Sequence, residues 1–446
     1  YCDRGIFQCQ IFHLTAAYAE QTGTAVVNIR SIVQVGNGMA VAIKGAEEQG
    51  GVCFHVVHVA DGSPLDARQV QITGQLEGNT GIAALRAIVD VGSKGQQGIY
   101  AVDLVGVFLR AGTTAIVGGN SSLTMMYELV SHGMTDGICG AKPWQEIKNR
   151  KFLCPAPGYD RHFAITEHFG FELIPVGMTE NGPDMDEVEE LIKDETVKGI
   201  WCVPKYQNPT GIVFSPETVR RFAALKPAAE DFRIFWDNAY CIHAFDGENA
   251  EIPDIISECE KAGNADLVYE FCSTSKITFP GAGISALAAS PTNLIDIKSF
   301  LKFSTIGPDK LNQLRHARFF KNSAGLRAHM KKHAEILKPK FEAVYKTLKE
   351  ELGGVGIADW TAPRGGYFLS FNTLPGCAKK VVEMCGEYGV KFTPAGASFP
   401  YGYDPEDKNI RLAPSFATVE EITQAIKVLC LCTKLAAIEK LMKERT

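Results

Sequence analysis

Positive charge is in short supply in this chain: 45 lysines and arginines stand against 51 aspartates and glutamates, leaving a net charge of −6 and a pI near 6.0. A nucleic-acid partner calls for a basic face that neutralises phosphates, so none is expected. Long apolar runs are lacking too. The segment 98–119 is apolar but interrupted by Asp103 and Arg110, which argues against a membrane span. No secretory signal is legible, and there is no repeat or low-complexity run. Metal-ligand spacing is missing as well: the 13 cysteines are odd in number, and the close pairs Cys2/Cys9 and Cys430/Cys432 have no complementary Cys/His set. Reduced thiols in the cytoplasm, and no metal, are the expectation.

What the chain does have is length and a series of apolar strands that run into polar, glycine-rich words. Its 446 residues can bury a large core, and one large plus one smaller domain is the natural expectation. Asp266-Leu-Val-Tyr-Glu-Phe-Cys272 reads as a strand, and Lys276 falls just past it, where α/β folds place reactive groups. A lysine amine becomes a nucleophile when burial and nearby cations lower its pKa. Ser273, Thr274 and Ser275 offer hydroxyls to a phosphate, and Pro280-Gly-Ala-Gly283 lets backbone approach a ligand closely. Taken alone, the same stretch also reads as a surface lysine in a Ser/Gly loop.

Other stretches repeat the pattern. Residues 114–117 predict a strand, Gly118-Gly-Asn-Ser-Ser122 a turn and residues 123–132 a helix, so Asn120, Ser121 and Ser122 form either an anion cradle or an ordinary N-cap. Residues 151–154 predict a strand before a Pro/Gly turn and Tyr159, a flat ring able to stack on another. The strand 198–203 precedes Asn208-Pro-Thr-Gly211, and the strand 232–237 ends in Asp237, a buried carboxylate in need of a partner. Arg411 lies on a late strand, and its guanidinium suits a carboxylate bidentately. Helices are expected over 185–193, 215–223, about 311–352, 378–388 and 419–442, with a strand over 364–371. Toward the start, residues 11–22 suggest a short helix, and 25–35 and 51–59 strands.

In their order, Val203-Pro-Lys-Tyr-Gln-Asn208-Pro-Thr-Gly211, Phe235-Trp-Asp237-Asn-Ala-Tyr240, Lys276 and Asn409-Ile-Arg411-Leu-Ala-Pro-Ser415 resemble a fold-type I pyridoxal-phosphate (PLP) aminotransferase. Gly118-Gly-Asn-Ser-Ser-Leu123, Cys154-Pro-Ala-Pro-Gly-Tyr-Asp-Arg-His162, Gly199-Ile-Trp-Cys-Val-Pro-Lys205 and Thr393-Pro-Ala-Gly-Ala-Ser-Phe-Pro-Tyr-Gly402 narrow the resemblance. They point to the bacterial aspartate aminotransferase-like group related to the MocR aminotransferase domain, over roughly residues 115–446.

The resemblance implies an α/β fold: a mostly parallel seven-stranded sheet flanked by helices in a large domain (51–315), a smaller α+β domain (316–446), and an N-terminal segment (1–50). It implies pyridoxal 5'-phosphate attached to Lys276, with the phosphate near Asn120, Ser121, Ser122 and Ser273. Tyr159 would cover the ring, Asp237 hold its nitrogen with His162 behind, and Asn208 and Tyr240 bond its phenolic oxygen. Arg411 would grip the substrate α-carboxylate. The implied activity is a ping-pong amino-group transfer between an L-amino acid, aspartate or glutamate favoured, and a 2-oxo acid, in a homodimer. A PLP-dependent lyase or decarboxylase, and the sensor domain of a regulator, are the other readings. Two departures stand out: Ile284 replaces an arginine that grips the phosphate in many relatives, and Ser93-Lys94-Gly95 stands where an Asn-Tyr-Gly segment is usual.

Overall fold

A computed structural model describes residues 115–305 and 307–445 and, ahead of them, the backbone of four strands: β1 (Val26–Val27), β2 (Val33–Val35), β3 (Met39–Glu48) and β4 (Gly51–Val59). β1, β2 and β4 all pair antiparallel with β3. The chain divides into two units, residues 1–83 and 84–446. The helix expected over 11–22, most of the apolar segment 98–119 and the Ser93-Lys94-Gly95 word lie outside the described residues.

The second unit is built on an eight-stranded sheet of β5 (Ala115–Val117), β6 (Lys151–Ala156), β7 (Glu172–Thr179), β8 (Gly182–Pro183), β9 (Val197–Cys202), β10 (Arg233–Asp237), β11 (Val268–Ser273) and β12 (Ser285–Ala289). Their spatial order is β5-β12-β11-β10-β9-β6-β7-β8. From β7 to β11 the pairs are parallel, and β12 runs antiparallel to both its neighbours. Seven strands make up the expected sheet, and the two-residue β8 extends its edge by pairing with β7.

Both faces of this sheet are covered, which is why its strands read as apolar runs rather than alternating ones. In β10, Ile234 and Trp236 pack with Ile200, Val268 and Cys272 on one side. Phe235 packs with Trp201, Tyr269 and Phe271 on the other. The covering helices start at caps written in the sequence. Ser121 accepts from Leu123 N ahead of helix Ser122–Thr135, Ser215 with Pro216 opens helix Pro216–Ala223, and Asp254 caps Ile255–Lys261.

A separate antiparallel sheet, β13 (Ala358–Trp360), β14 (Leu369–Thr373) and β15 (Asn409–Leu412), has β14 at its centre. The strand expected over 364–371 begins only at Leu369. Gly366 has φ +84, and a Cβ on Gly365 would lie 2.7 Å from the Tyr206 ring, so this stretch is a turn wedged against a neighbour. Helix Ser323–Leu352 spans about 45 Å and feeds two cores. Leu326 and Met330 join that of the large sheet, whereas Leu337, Phe341, Val344 and Leu348 join that of the small one.

Candidate active site

The chain steps from β6 outward to β7, returns past β6 to β9, and continues to β10 and β11. In open α/β sheets, ligands settle outside the carboxyl ends of the strands near such a reversal. That edge is where β6 delivers Tyr159, β9 delivers Asn208, β10 ends in Asp237, and β11 leads into Lys276. β5 delivers Asn120, Ser121 and Ser122 to the same edge, because it runs antiparallel to β12 as β11 does.

Ser122 Oγ donates to Ser273 Oγ at 3.4 Å, Ser273 Oγ to Ser275 Oγ at 3.2 Å, and Ser275 Oγ to the Asn120 carbonyl at 3.2 Å. Asn120 Nδ2 reaches the Gly281 carbonyl at 3.1 Å. This hydroxyl chain stitches the Asn120 turn to the Lys276 loop, with the Ser122–Thr135 helix N-terminus behind it. Gly283 is required at the join: a Cβ there would meet Asn120 O at 2.9 Å, Thr274 Oγ1 at 3.0 Å and Ser275 N at 3.2 Å. Gly283→Ala is expected to force the two turns apart at a cost of about 1–3 kcal/mol, seen as a lower urea midpoint. An unchanged midpoint would contradict the close approach.

Ile284 is buried, its N–H bonded to Thr274 Oγ1 at 2.9 Å and its carbonyl accepting from Thr274 N at 2.8 Å. The position that carries arginine in many relatives is thus built into the base of the loop. Arg315, from helix Lys310–Phe320, instead sets its guanidinium on the Ala282 carbonyl at 3.0 Å and bonds Asn312. With Asn120, Gly281 and Ala282 it lines a cavity of about 530 Å³.

Asp237 is 5% exposed, and its Oδ2 lies 3.1 Å from His162 Nε2. The His162 ring stacks on Trp201 at 4.6 Å and meets the Tyr159 ring edge-on at 4.8 Å. Burial, with Asp237 and Asp160 adding, pushes the Tyr159 phenol up to about 12. Burial likewise holds the Tyr240 phenol well above its ordinary range, so both remain protonated donors. Asn208 sits in a turn closed by Gly211 N to the Gln207 carbonyl at 2.6 Å, and Gln207 Nε2 ties this turn to the Pro157 carbonyl at 2.9 Å. Lys276 is accessible from the cleft, yet the surrounding protein desolvates its amine and lowers the ammonium pKa. Asp237 opposes that shift and Arg411 reinforces it.

Arg411 comes from β15 on the other sheet. Its Nη1 donates to Asp160 Oδ1 at 2.7 Å and its guanidinium lies over the Phe368 ring at 5.3 Å. Asp160, between Tyr159 and Arg161, and Phe368 are not among the residues expected from the sequence, although the Gly365-Gly366 pair was an available signal for Phe368.

Buried polar groups are almost always paired. Here Asn208 Nδ2 and Oδ1, Asp237 Oδ1 and Arg411 Nε are buried with no hydrogen-bond partner among the described residues. Donors, a carboxylate oxygen and a guanidinium edge, gathered near a desolvated amine and beside stacking aromatics, suit a flat heteroaromatic ring bearing a protonated nitrogen and an oxyanion. They also suit a carboxylate substrate. Pyridoxal phosphate fits that description.

A mostly parallel sheet with these words at its carboxyl edge, and an arginine brought from a second sheet, is the arrangement of the fold-type I aminotransferases. The chain belongs to the aspartate aminotransferase family: the family profile described as aspartate amino-transferase matches residues 97–445, and the protein is a transaminase of that kind. It is 46% identical over 341 residues to an aspartate aminotransferase of Corynebacterium glutamicum, 76% of this chain and 78% of that one. A solved aspartate transaminase from Corynebacterium glutamicum superposes with a TM-score of 0.73 at 42% identity, covering 85% and 86% of the two chains. In fold alone, an alpha-aminoadipate aminotransferase of Thermus thermophilus, complexed with N-(5'-phosphopyridoxyl)-L-leucine, is similar at a TM-score of 0.62 and 21% identity, covering 82% and 84%. Among the described residues no helix is long and apolar enough to cross a membrane, and no group of three or more His, Cys, Asp or Glu is arranged to hold a metal.

Proposed function

We propose that the protein transfers an amino group between an L-amino acid, aspartate or glutamate, and a 2-oxo acid in two half-reactions, with pyridoxal 5'-phosphate as cofactor. The observation that carries this reading is the gathering of four buried atoms, without hydrogen-bond partners among the described residues, with the Lys276 amine at one edge of the sheet. When bound, the cofactor supplies an electron sink and carries nitrogen from one substrate to the next.

The chain's own groups do the rest. Lys276 is the attachment residue and, once its amine is released, the base that takes the proton from the substrate α-carbon. Its lowered pKa leaves it unprotonated at a lower pH than an ordinary lysine. Asp237, steadied at Oδ2 by His162, offers Oδ1 to a protonated ring nitrogen. Asn208 and Tyr240 donate to the phenolic oxygen, and Tyr159 covers a ring face. Asn120, Ser121, Ser122 and Ser273 meet the phosphate, assisted by the helix dipole. Arg411 takes the α-carboxylate on the edge that includes Nε and so orients the α C–H bond.

The same reading places a large domain at 51–315, a small one at 316–446 and an N-terminal segment at 1–50, in a cytoplasmic homodimer. Phe279 in the lysine loop and Leu311 nearby are 78% and 80% exposed, apolar surface of the kind that a second subunit covers.

Holoenzyme given L-aspartate without any 2-oxo acid is expected to release one oxaloacetate per bound cofactor, then stop until 2-oxoglutarate is added. Continuous release of pyruvate, ammonia or CO2 would overturn transfer in favour of a lyase or decarboxylase. Failure with aspartate alongside turnover of another amino acid would overturn the substrate.

A further inference from the structure

Two side chains from distant parts of the chain meet on the main-chain carbonyl of Lys276. The Tyr367 hydroxyl donates to it at 2.9 Å, and His243 Nε2 at 3.3 Å. The next carbonyl, that of Ile277, accepts from His329 Nε2 at 2.8 Å. Behind these, His333 Nδ1 stands 3.5 Å from the Tyr367 hydroxyl, and its ring packs 4.7 Å from that of His329. On the flank of the loop, His316 Nε2 lies 3.1 and 3.0 Å from the hydroxyls of Thr274 and Thr278, with its Nδ1 committed to the Asn312 carbonyl at 2.9 Å.

The proton positions follow from the partners. His243 Nδ1 is buried with no partner among the described residues, so its ring proton sits on Nε2, facing the carbonyl. Burial lowers this imidazole to about 4, which keeps it a neutral donor over the ordinary pH range. His329 faces a carbonyl and donates likewise. His316 donates from Nδ1 to a carbonyl, so its Nε2 is an acceptor facing the two threonine hydroxyls.

The turn Gly365–Gly366 is what brings Tyr367 here. A Cβ on Gly365 would meet the His243 carbonyl at 2.5 Å, and Gly366 N donates to that same carbonyl at 3.0 Å. These bonds to Lys276 and Ile277 fall on backbone carbonyls and not on the lysine amine. A lysine side chain has a flexible four-carbon stem, so its amine finds the same place twice only if its Cα is held.

We propose that Tyr367, His243 and His329 are positioning residues for Lys276, fixing its backbone while its amine changes partners. This rests on the reading of Lys276 as the attachment residue, and the test separates the two. Kinetics with L-aspartate and 2-oxoglutarate are measured for the Tyr367→Phe, His329→Leu and His329→Gln holoenzymes. In parallel, the pH dependence of Lys276 labelling by an amine reagent is followed by peptide mass in the full chain stripped of cofactor.

Tyr367→Phe and His329→Leu are expected to lower kcat about tenfold, with KM within about twofold. A freed loop admits water, so the labelling midpoint of Lys276 rises toward that of an ordinary lysine. Glutamine places a donor where the histidine Nε2 stands, and His329→Gln is expected to retain wild-type values. Wild-type kcat and labelling in both deleting variants overturn the proposal. So does a His329→Gln enzyme as impaired as His329→Leu, which would make the effect one of packing. Should His329→Leu fail to fold, Tyr367→Phe decides, since it removes one oxygen. Borohydride fixation of the cofactor at a residue other than 276 would overturn the attachment reading, and this proposal with it.

Discussion

Lys276→Ala is expected to slow the aspartate half-reaction by at least about 10^4-fold while leaving the fold intact. The amine has two tasks on this reading, attachment and proton removal, and it combines nucleophilicity with a depressed ammonium pKa. Truncation is cheap for the fold because the side chain lies open to the cleft, and substitutions at such sites usually stay within about 0.5 kcal/mol. Three measurements check this: the rate of oxaloacetate release, peptide mass after borohydride treatment, and the urea midpoint. The expected set is a lost rate, a cofactor fixed at residue 276 in the parent chain and at no residue in the variant, and an unchanged midpoint. A variant within about tenfold of the parent rate would remove Lys276 from the chemistry.

The largest expected loss of stability lies at the opposite end of the strands, at Asp231→Ala. Asp231 is 5% exposed and serves two buried partners, accepting from Trp144 Nε1 at 2.6 Å and from Lys198 Nζ at 2.8 Å. Its removal strands an ammonium whose residue is 6% exposed and an indole N–H on a residue with none. Breaking a buried pair by taking out one partner costs about 3–5 kcal/mol, whereas exchanging both for apolar groups is often neutral. The double change Asp231→Ala with Lys198→Met is therefore expected to recover most of the loss in urea unfolding, since no charge is left without a partner. If Asp231→Ala alone cost under about 1 kcal/mol, Lys198 would have to reach water.

Much of the candidate site was legible because each word closes an apolar run. A strand that ends in Asp237, or is followed within a few residues by Lys276, marks its own carboxyl end by the change from apolar to polar residues. The rest was hidden for identifiable reasons. Asp160 follows Tyr159 in a stretch that reads only as a turn, and nothing local shows that it holds Arg411. Residues 364–371 have the composition of a strand, and the approach of Tyr206 and of the His243 carbonyl makes their first half a turn. Ile284 looked like a lost phosphate contact, whereas the fold uses it as a buried base for the lysine loop. Asp231 and Lys198 belong to different words, and neither predicts the other.

By itself the sequence determined residue type and local form: which strands are apolar on both faces, which serines and aspartates cap helices, and which reactive groups stand at strand ends. These properties act over a few residues, so they survive in a one-dimensional reading. Only the tertiary structure decided which groups share a proton or a carbonyl. A hydrogen bond acts over about 3 Å, whereas the partners are far apart along the chain: 91 positions from Tyr367 to Lys276, 52 from His329 to Ile277, and 251 from Arg411 to Asp160. Pairings at that range are set by how helices and sheets pack, and no local pattern carries them.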